Sequence, residues 1–280
     1  MCAAAFLMAV ACSAVGAETV ETLSSDDPAG LEFSGWVCPE FESAHASMGC
    51  VKIIYPVFNV DFGVAAQIRE GQYGRLLFGG WMCTDVSSHY RAVRRNAFQE
   101  IDPIIAYAYT LPLYEGWSLD SQWGAQWNIM DGYSGAAHRT YDEWQFWERL
   151  KTPWGTLYAG MRNFYLPVTK AGVRTGFTQT FAITDALAFA PNLWFDAGSE
   201  RWNTQRFGYG ASADDISGGF NSVSLQLFLL YRLTSWMRLY GGVTQYCAID
   251  RRVRDNLKAN PSRESVTELL IVTLGARLEF

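Results

Sequence analysis

Charge is what this chain has least of: Asp, Glu, Lys and Arg together make up 18% of its 280 residues. A soluble fold keeps Lys, Glu and Asp on its water-facing surface and usually carries more of them. Long apolar runs are missing as well. Beyond the N-terminus there is no stretch of about 18 apolar residues, the minimum for a membrane-spanning helix, and the mean hydropathy is −0.02. That argues against a helical membrane bundle. Basic clusters of the nucleic-acid-binding kind are absent too, since the net charge is −6 and Lys and Arg are scattered. The 3 histidines stand in no ligand pattern, and no cysteines have C-x-x-C spacing, so neither a metal nor another cofactor is expected. What the chain does have is aromatic residues: 11 Trp, 14 Tyr and 17 Phe.

Residues 1–17 read as an export signal. Positions 2–14 are almost wholly apolar, and Val15, Gly16 and Ala17 supply small residues ahead of Glu18. No Lys or Arg precedes the apolar run, which leaves the true start codon open. Two other readings remain: a lipoprotein box ending on Cys12, and a buried N-terminal helix. Residues 18–30 are rich in Ser, Thr, Asp and Glu, as in a short disordered periplasmic lead-in. An exported chain can keep disulfides. Cys38 and Cys50 bracket residues 39–49 at one proposed strand end and are the expected pair; four free thiols are the alternative. Cys83 and Cys247 fall on strands that are not neighbours and are expected to stay apart.

From residue 31 onward the pattern repeats: strand, short turn, strand, longer polar loop. Val223, Leu225, Leu227, Leu229, Tyr231 and Leu233 share one strand face, while Ser222, Ser224, Gln226 and Arg232 share the other with Phe228 and Leu230. The last strand alternates Leu270, Val272, Leu274, Ala276, Leu278 and Phe280 with Thr273, Gly275, Arg277 and Glu279. Period-two alternation of this length marks β-strands with one apolar face. Working back from the C-terminus places short turns at 233–236, 183–186, 151–155, 111–116 and 70–74, and a first strand at 31–37 ending before Pro39. The total is about 12 strands, with 10 or 14 acceptable. The expected fold class is all-β: a closed antiparallel transmembrane β-barrel over residues 31–280.

A soluble antiparallel sandwich or lipocalin-like barrel alternates too, with its apolar face inward. Here the apolar set includes Trp117, Trp123, Trp127 and Trp144, too many large rings for a small interior. Tyr114, Trp117, Trp154, Tyr231 and Trp236 sit beside the short turns, where an aromatic girdle meets the membrane interface. The chain ends on Phe280, with Leu278 two residues before it. In these features it resembles bacterial outer-membrane β-barrel proteins as a general class, the resemblance in layout covering residues 31–280. That resemblance implies an outer-membrane location, contact with lipid and lipopolysaccharide, and reading of the Leu278/Phe280 end by the barrel-assembly machinery. It leaves the oligomeric state open.

If apolar faces meet lipid, the other faces form the lumen. Asp61, Glu100, Asp102 and Asp120 then line early strands, and Arg149, Arg162, Arg232, Arg238 and Arg277 line later ones. Acid on one wall and base on the other set up a transverse field for polar solutes. The bland alternative is that the same residues pair across the interior and fill it; about 12 strands is compatible with either. A passive pore is the favoured expectation and a closed structural or ligand-binding barrel the alternative. An enzyme is not expected. A lipid hydrolase needs a nucleophile beside a base, and of His45, His89 and His138 only His89 follows serines, Ser87 and Ser88. Basic outer loops carrying Arg91, Arg94 and Arg95, and Arg251, Arg252, Arg254, Lys258 and Arg263, could grip lipopolysaccharide phosphates.

Overall fold

The computed structural model describes residues 31–280 except 48–49, 69–73, 87–99, 131–138, 165–169, 208–215 and 260–265. The proposed signal and lead-in, 1–17 and 18–30, lie outside the described residues. The strands are β1 (Leu31–Glu42), β2 (His45–Ser47), β3 (Cys50–Ile53), β4 (Val57–Ile68), β5 (Arg75–Asp85), β6 (Glu100–Tyr114), β7 (Trp117–Met130) and β8 (Arg139–Thr152). They continue with β9 (Gly155–Phe164), β10 (Ala171–Thr178), β11 (Phe181–Ala182), β12 (Leu187–Gly198), β13 (Gly219–Arg232), β14 (Met237–Ala248) and β15 (Glu268–Glu279). Two short helices, α1 (Glu200–Phe207) and α2 (Arg251–Ala259), stand in outer connections. No described helix is long and apolar enough to cross a membrane.

Antiparallel pairing runs from β10 through β9, β8, β7, β6, β5, β4 and β1 to β15, β14, β13 and β12. The β10–β12 ladder then closes the ring, giving a barrel of 12 strands with β11 as an extra fragment beside β12. First and last strands are sealed at the terminus itself: Gly35 N donates to Phe280 O at 2.6 Å and Phe280 N to Gly35 O at 3.0 Å. Closure leaves no open strand edge, which a hydrocarbon environment does not tolerate.

The expected faces are the observed ones. Leu225, Leu227, Leu229, Leu270, Val272 and Leu274 are exposed on the outside of the barrel, whereas Ser222, Ser224, Ile271 and Thr273 are buried within it. Tyr114, Trp154, Trp236 and Tyr231 are exposed around the short-turn rim, and Trp117 packs edge-on against Trp154 at 5.7 Å between centroids. An apolar outer band with an aromatic girdle is the layout of an outer-membrane barrel. Some outward residues depart from it, among them Gln245 on β14 and Glu148 on β8. Glu148 lies between Phe146 and Leu150 on the outer row of β8. It accepts hydrogen bonds from Ser121 Oγ at 2.5 Å and Trp123 Nε1 at 3.4 Å, so donors on the same wall satisfy it.

Three of the short turns share one device. The hydroxyls of Thr152, Thr184 and Thr234 accept hydrogen bonds from the backbone N–H of Trp154, of Ala186 and Leu187, and of Trp236, at 3.0–3.3 Å. A threonine that hydrogen-bonds forward in this way supplies locally what a longer loop would otherwise need. A fourth turn uses Gly116 at φ 76°, where a side chain would be strained.

The first strand does not stop at 37. It runs through Pro39 to Glu42, because the sheet drops pairs instead of breaking: β1 pairs with β15 at Val37–Leu278 and again at Glu40–Gly275, skipping the proline, which has no N–H to give. Pro103 is handled alike, with the β6–β7 ladder lapsing between Ile101–Ile129 and Ile104–Gln126. β6 also extends through residues 111–114, which the sequence pattern assigns to the turn.

Candidate functional site: the barrel interior

Alternate residues of the barrel strands point inward, and polar and charged side chains are prominent among the described ones. Each expected lumen residue is on an inward row. On β4, Asp61 accepts a hydrogen bond from the indole N–H of Trp36. Glu100 and Asp102 are buried on β6, and Asp102 anchors a polar chain along the wall. Gln126 Nε2 donates to Asp102 Oδ2 and to Asn128 Oδ1, both at 2.9 Å; Gln145 donates to Gln126; Trp147 Nε1 donates to Gln145 at 3.4 Å. Asp120 on β7 meets Lys151 at 2.8 Å. Arg149 is buried on β8, and Arg162 on β9 pairs with Glu143. At the short-turn rim, Arg232 Nη2 donates to the Asp185 carbonyl at 2.7 Å, Arg238 lies 3.5 Å from Glu279, and Arg277 Nε bonds Glu279 Oε1 at 2.5 Å.

Sequence reasoning missed about as many lumen groups as it named. Glu40 and Glu42 are buried on the upper part of β1, beyond the strand end that Pro39 suggests. Arg174 and Asp196 form a two-pronged pair at 2.6 and 3.0 Å, with Ser222 donating to Asp196 at 3.2 Å and the guanidinium 4.9 Å from the Trp194 ring centroid. Asp85 and Arg75 close opposite ends of β5. Asp196 was recoverable by carrying the Leu193/Phe195 alternation one step further. Arg174 was hidden because β10 begins at Ala171, well before the expected strand near Phe177.

Large rings also face inward, and the strands make room for them. Trp147, Tyr158, Trp194 and Trp202 form a buried cluster. The Trp147 ring lies over Gly160, where a Cβ would collide with it. Tyr158 donates to Asn192 at 2.8 Å across the intervening β10.

Packed structure stands at the outer end of the barrel where the sequence pattern suggests long polar loops. Val51, Phe207, Ile216, Tyr246, Ala248, Val253 and Leu257 make one apolar cluster joining the β2–β3 hairpin, both helices and β14. Asp250 caps α2 by accepting from Val253 N at 2.9 Å, and Ser199 caps α1 by accepting from Trp202 N at 3.3 Å. Spacing gives α2 two faces: Val253 and Leu257, four apart, are buried, and Arg251, Arg252 and Lys258 are exposed. Arg254 is half-buried. Arg91, Arg94, Arg95 and Arg263 lie outside the described residues, as do Ser87, Ser88, His89 and His138. His45 is buried in β2, bonded to Glu42 at 2.7 Å with its ring centroid 5.4 Å from that of Trp81.

The Cys38–Cys50 disulfide meets a correction at its first member. Cys38 is a buried thiol well inside β1, not at its tip, with Arg277 Nη1 3.9 Å from its sulfur. The expectation failed because β1 continues to Glu42, which carries the chain reversal away from Cys38. The Cys50 side chain lies outside what is described. Cys83 and Cys247 are likewise thiols.

The chain matches no protein-family model and no curated protein. Among solved structures it is similar in fold to an outer membrane channel from Pseudomonas putida F1, at 11% identity and a TM-score of 0.48 over 92% of this chain and 100% of that one. It is similar to the NanC porin at 11% identity and a TM-score of 0.47, over 87% and 98%. It is also similar to a KdgM porin solved in complex with disordered oligogalacturonate, at 8% identity and a TM-score of 0.46, over 88% and 99%.

Proposed function

We propose that this chain is a bacterial outer-membrane channel for small polar or charged solutes. The observation that carries the reading is how the interior charges are paired. Lys151–Asp120, Arg162–Glu143, Arg174–Asp196 and Arg238–Glu279 each join strands that are neighbours in the wall. Pairs across the axis would bridge opposite walls and plug the barrel; pairing along the wall does not, and is the arrangement a conduit for water and solute requires. Leu278 and Phe280 on the closing strand would be read by the assembly machinery. The exposed bases of α2 would face lipopolysaccharide.

A closed structural barrel is the second reading, and the complete burial of Gln126, Trp147 and Arg162 favours it. Planar-bilayer recording on refolded protein separates the two. Steady ionic current supports the channel; a heat-modifiable, fully folded protein that passes none supports the closed barrel. Release of fatty acid from phospholipid vesicles would instead revive a lipid hydrolase.

A further inference from the structure

We infer that the lumen is charged in opposite senses at its two ends and rectifies ionic current. The inference rests on the channel reading and concerns what that channel selects.

The strands are antiparallel, so the height of each inward charge follows from its distance to the strand end. The outer half holds Glu40 and Glu42 near the end of β1, Asp85 at the end of β5, Glu100 and Asp102 at the start of β6, and Asp196 near the end of β12. The inner half holds Arg75 at the start of β5, Arg149 and Lys151 near the end of β8, Arg232 at the end of β13, Arg238 near the start of β14, and Arg277 near the end of β15. Among the described side chains each half has a minority of the other sign, most of it held by counter-charges. In the outer half Arg162 is held by Glu143 and Arg174 by Asp196. In the inner half Asp120 is held by Lys151, and Glu279 by Arg277 and Arg238. Among the described residues Glu32, on the inward row near the start of β1, is a further inner acid, and Asp61 stands nearer the outer end of β4. The majority sign therefore sets the field at each end: negative toward the outer mouth, positive toward the short-turn mouth.

A lining of one sign admits the opposite ion and repels its own. With the outer side positive, cations enter through the acidic half and anions through the basic half, so both accumulate at the junction and current is high. Reversing the voltage asks each ion to enter through the half that repels it, and the junction empties. Solutes carrying both charges, such as amino acids or short peptides, are the class such a lumen would orient, with the ammonium toward the outer end.

The test is a current–voltage curve of the refolded full-length protein in a planar bilayer with KCl on both sides. Orientation is fixed by adding antibody to one chamber against a tag between Lys258 and Ala259. At about 0.1 M salt, where the screening length is about 10 Å, current at equal and opposite voltages should differ by about twofold or more, the larger current with the outer side positive. At about 1 M, where screening falls to about 3 Å, the ratio should approach one. The double variant R149E/R238E, confirmed as folded by heat-modifiable gel migration, should pass nearly symmetric, cation-preferring current. A straight line for the unaltered protein in low salt overturns the inference and leaves the channel standing. Rectification unchanged in the double variant, or of opposite sense, also overturns it. No current at all overturns the channel reading, and this inference with it.

Discussion

Leu227→Arg isolates the property on which the whole barrel rests, namely which face meets lipid. Leu227 is on the outward row of β13, away from both strand ends, and its wall neighbours in register are Pro191 and Val243. Neither offers a side-chain hydrogen-bond partner. Glu148 shows what the wall needs in order to hold an outward polar group, namely donors such as Ser121 and Trp123 beside it. A guanidinium in place of the Leu227 side chain would have no such partners and would have to reach for the interface. An arginine at the bilayer midplane of such a wall costs about 2–4 kcal/mol, equivalent to a roughly thirty- to several-hundred-fold loss in the folding equilibrium constant. Gln226→Arg, one residue away, points into the polar lumen. It forfeits a 3.3 Å hydrogen bond to Thr244, worth about 0.5–1.5 kcal/mol. Urea titrations of refolding into phospholipid vesicles, followed by tryptophan emission and gel migration, compare the pair directly. Equal losses, or a larger loss for Gln226→Arg, would show that the faces are assigned the wrong way round.

Gly160→Val should cost about 1–3 kcal/mol, because the new side chain must displace the buried Trp147 ring; in a Trp147→Ala background the same change should cost much less, and equal costs in both refute the contact. Arg174→Ala should destabilise by about 3–5 kcal/mol by stranding the Asp196 carboxylate. The double variant R174A/D196A should recover part of that in the same titration, and no recovery would mean that the pair is not coupled. A tag between Lys258 and Ala259 should be labelled on intact cells and one at Ser235 should not; labelling only the second would invert the barrel in the membrane.

The walls were legible because alternation is a local signal. A strand such as β13 or β15 states its two faces residue by residue, and the threonine and glycine turns punctuate it. Misreadings came where a local rule met a tertiary remedy. Pro39 is a sound reason to end an isolated strand, but a strand paired on both sides can omit the ladder bonds at that point and continue, as the β1–β15 register does. The caps were legible in principle and overlooked: Asp250 ahead of Val253 and Leu257 is a capped helix with apolar residues four apart, set in a segment whose charge suggested only a loop.

The axial sorting of lumen charge is a different matter, and no reading of single strands could have reached it. An acid that opens one strand and an acid that closes the previous one look unrelated in sequence, yet Asp85 and Glu100 stand together at the outer rim because β5 and β6 run in opposite directions. Arg75 opens its strand and Arg232 closes another, and both reach the short-turn rim. Counting acids on early strands and bases on later ones does detect an arc of acid on β4, β6 and β7 facing an arc of base on β8, β9 and β13–β15, hence the transverse field expected at the outset. It cannot detect height. Height appears only once strand ends and direction are known, and then Arg75, Glu143 and Asp196, each on the wrong arc, fall at the right end, while Glu279 falls at the wrong one beside Arg277 and Arg238. A scheme sorted only around the wall has to treat all four as exceptions. One sorted also along the axis accounts for three of them, and that is the reason to seek the lumen's selectivity along its length.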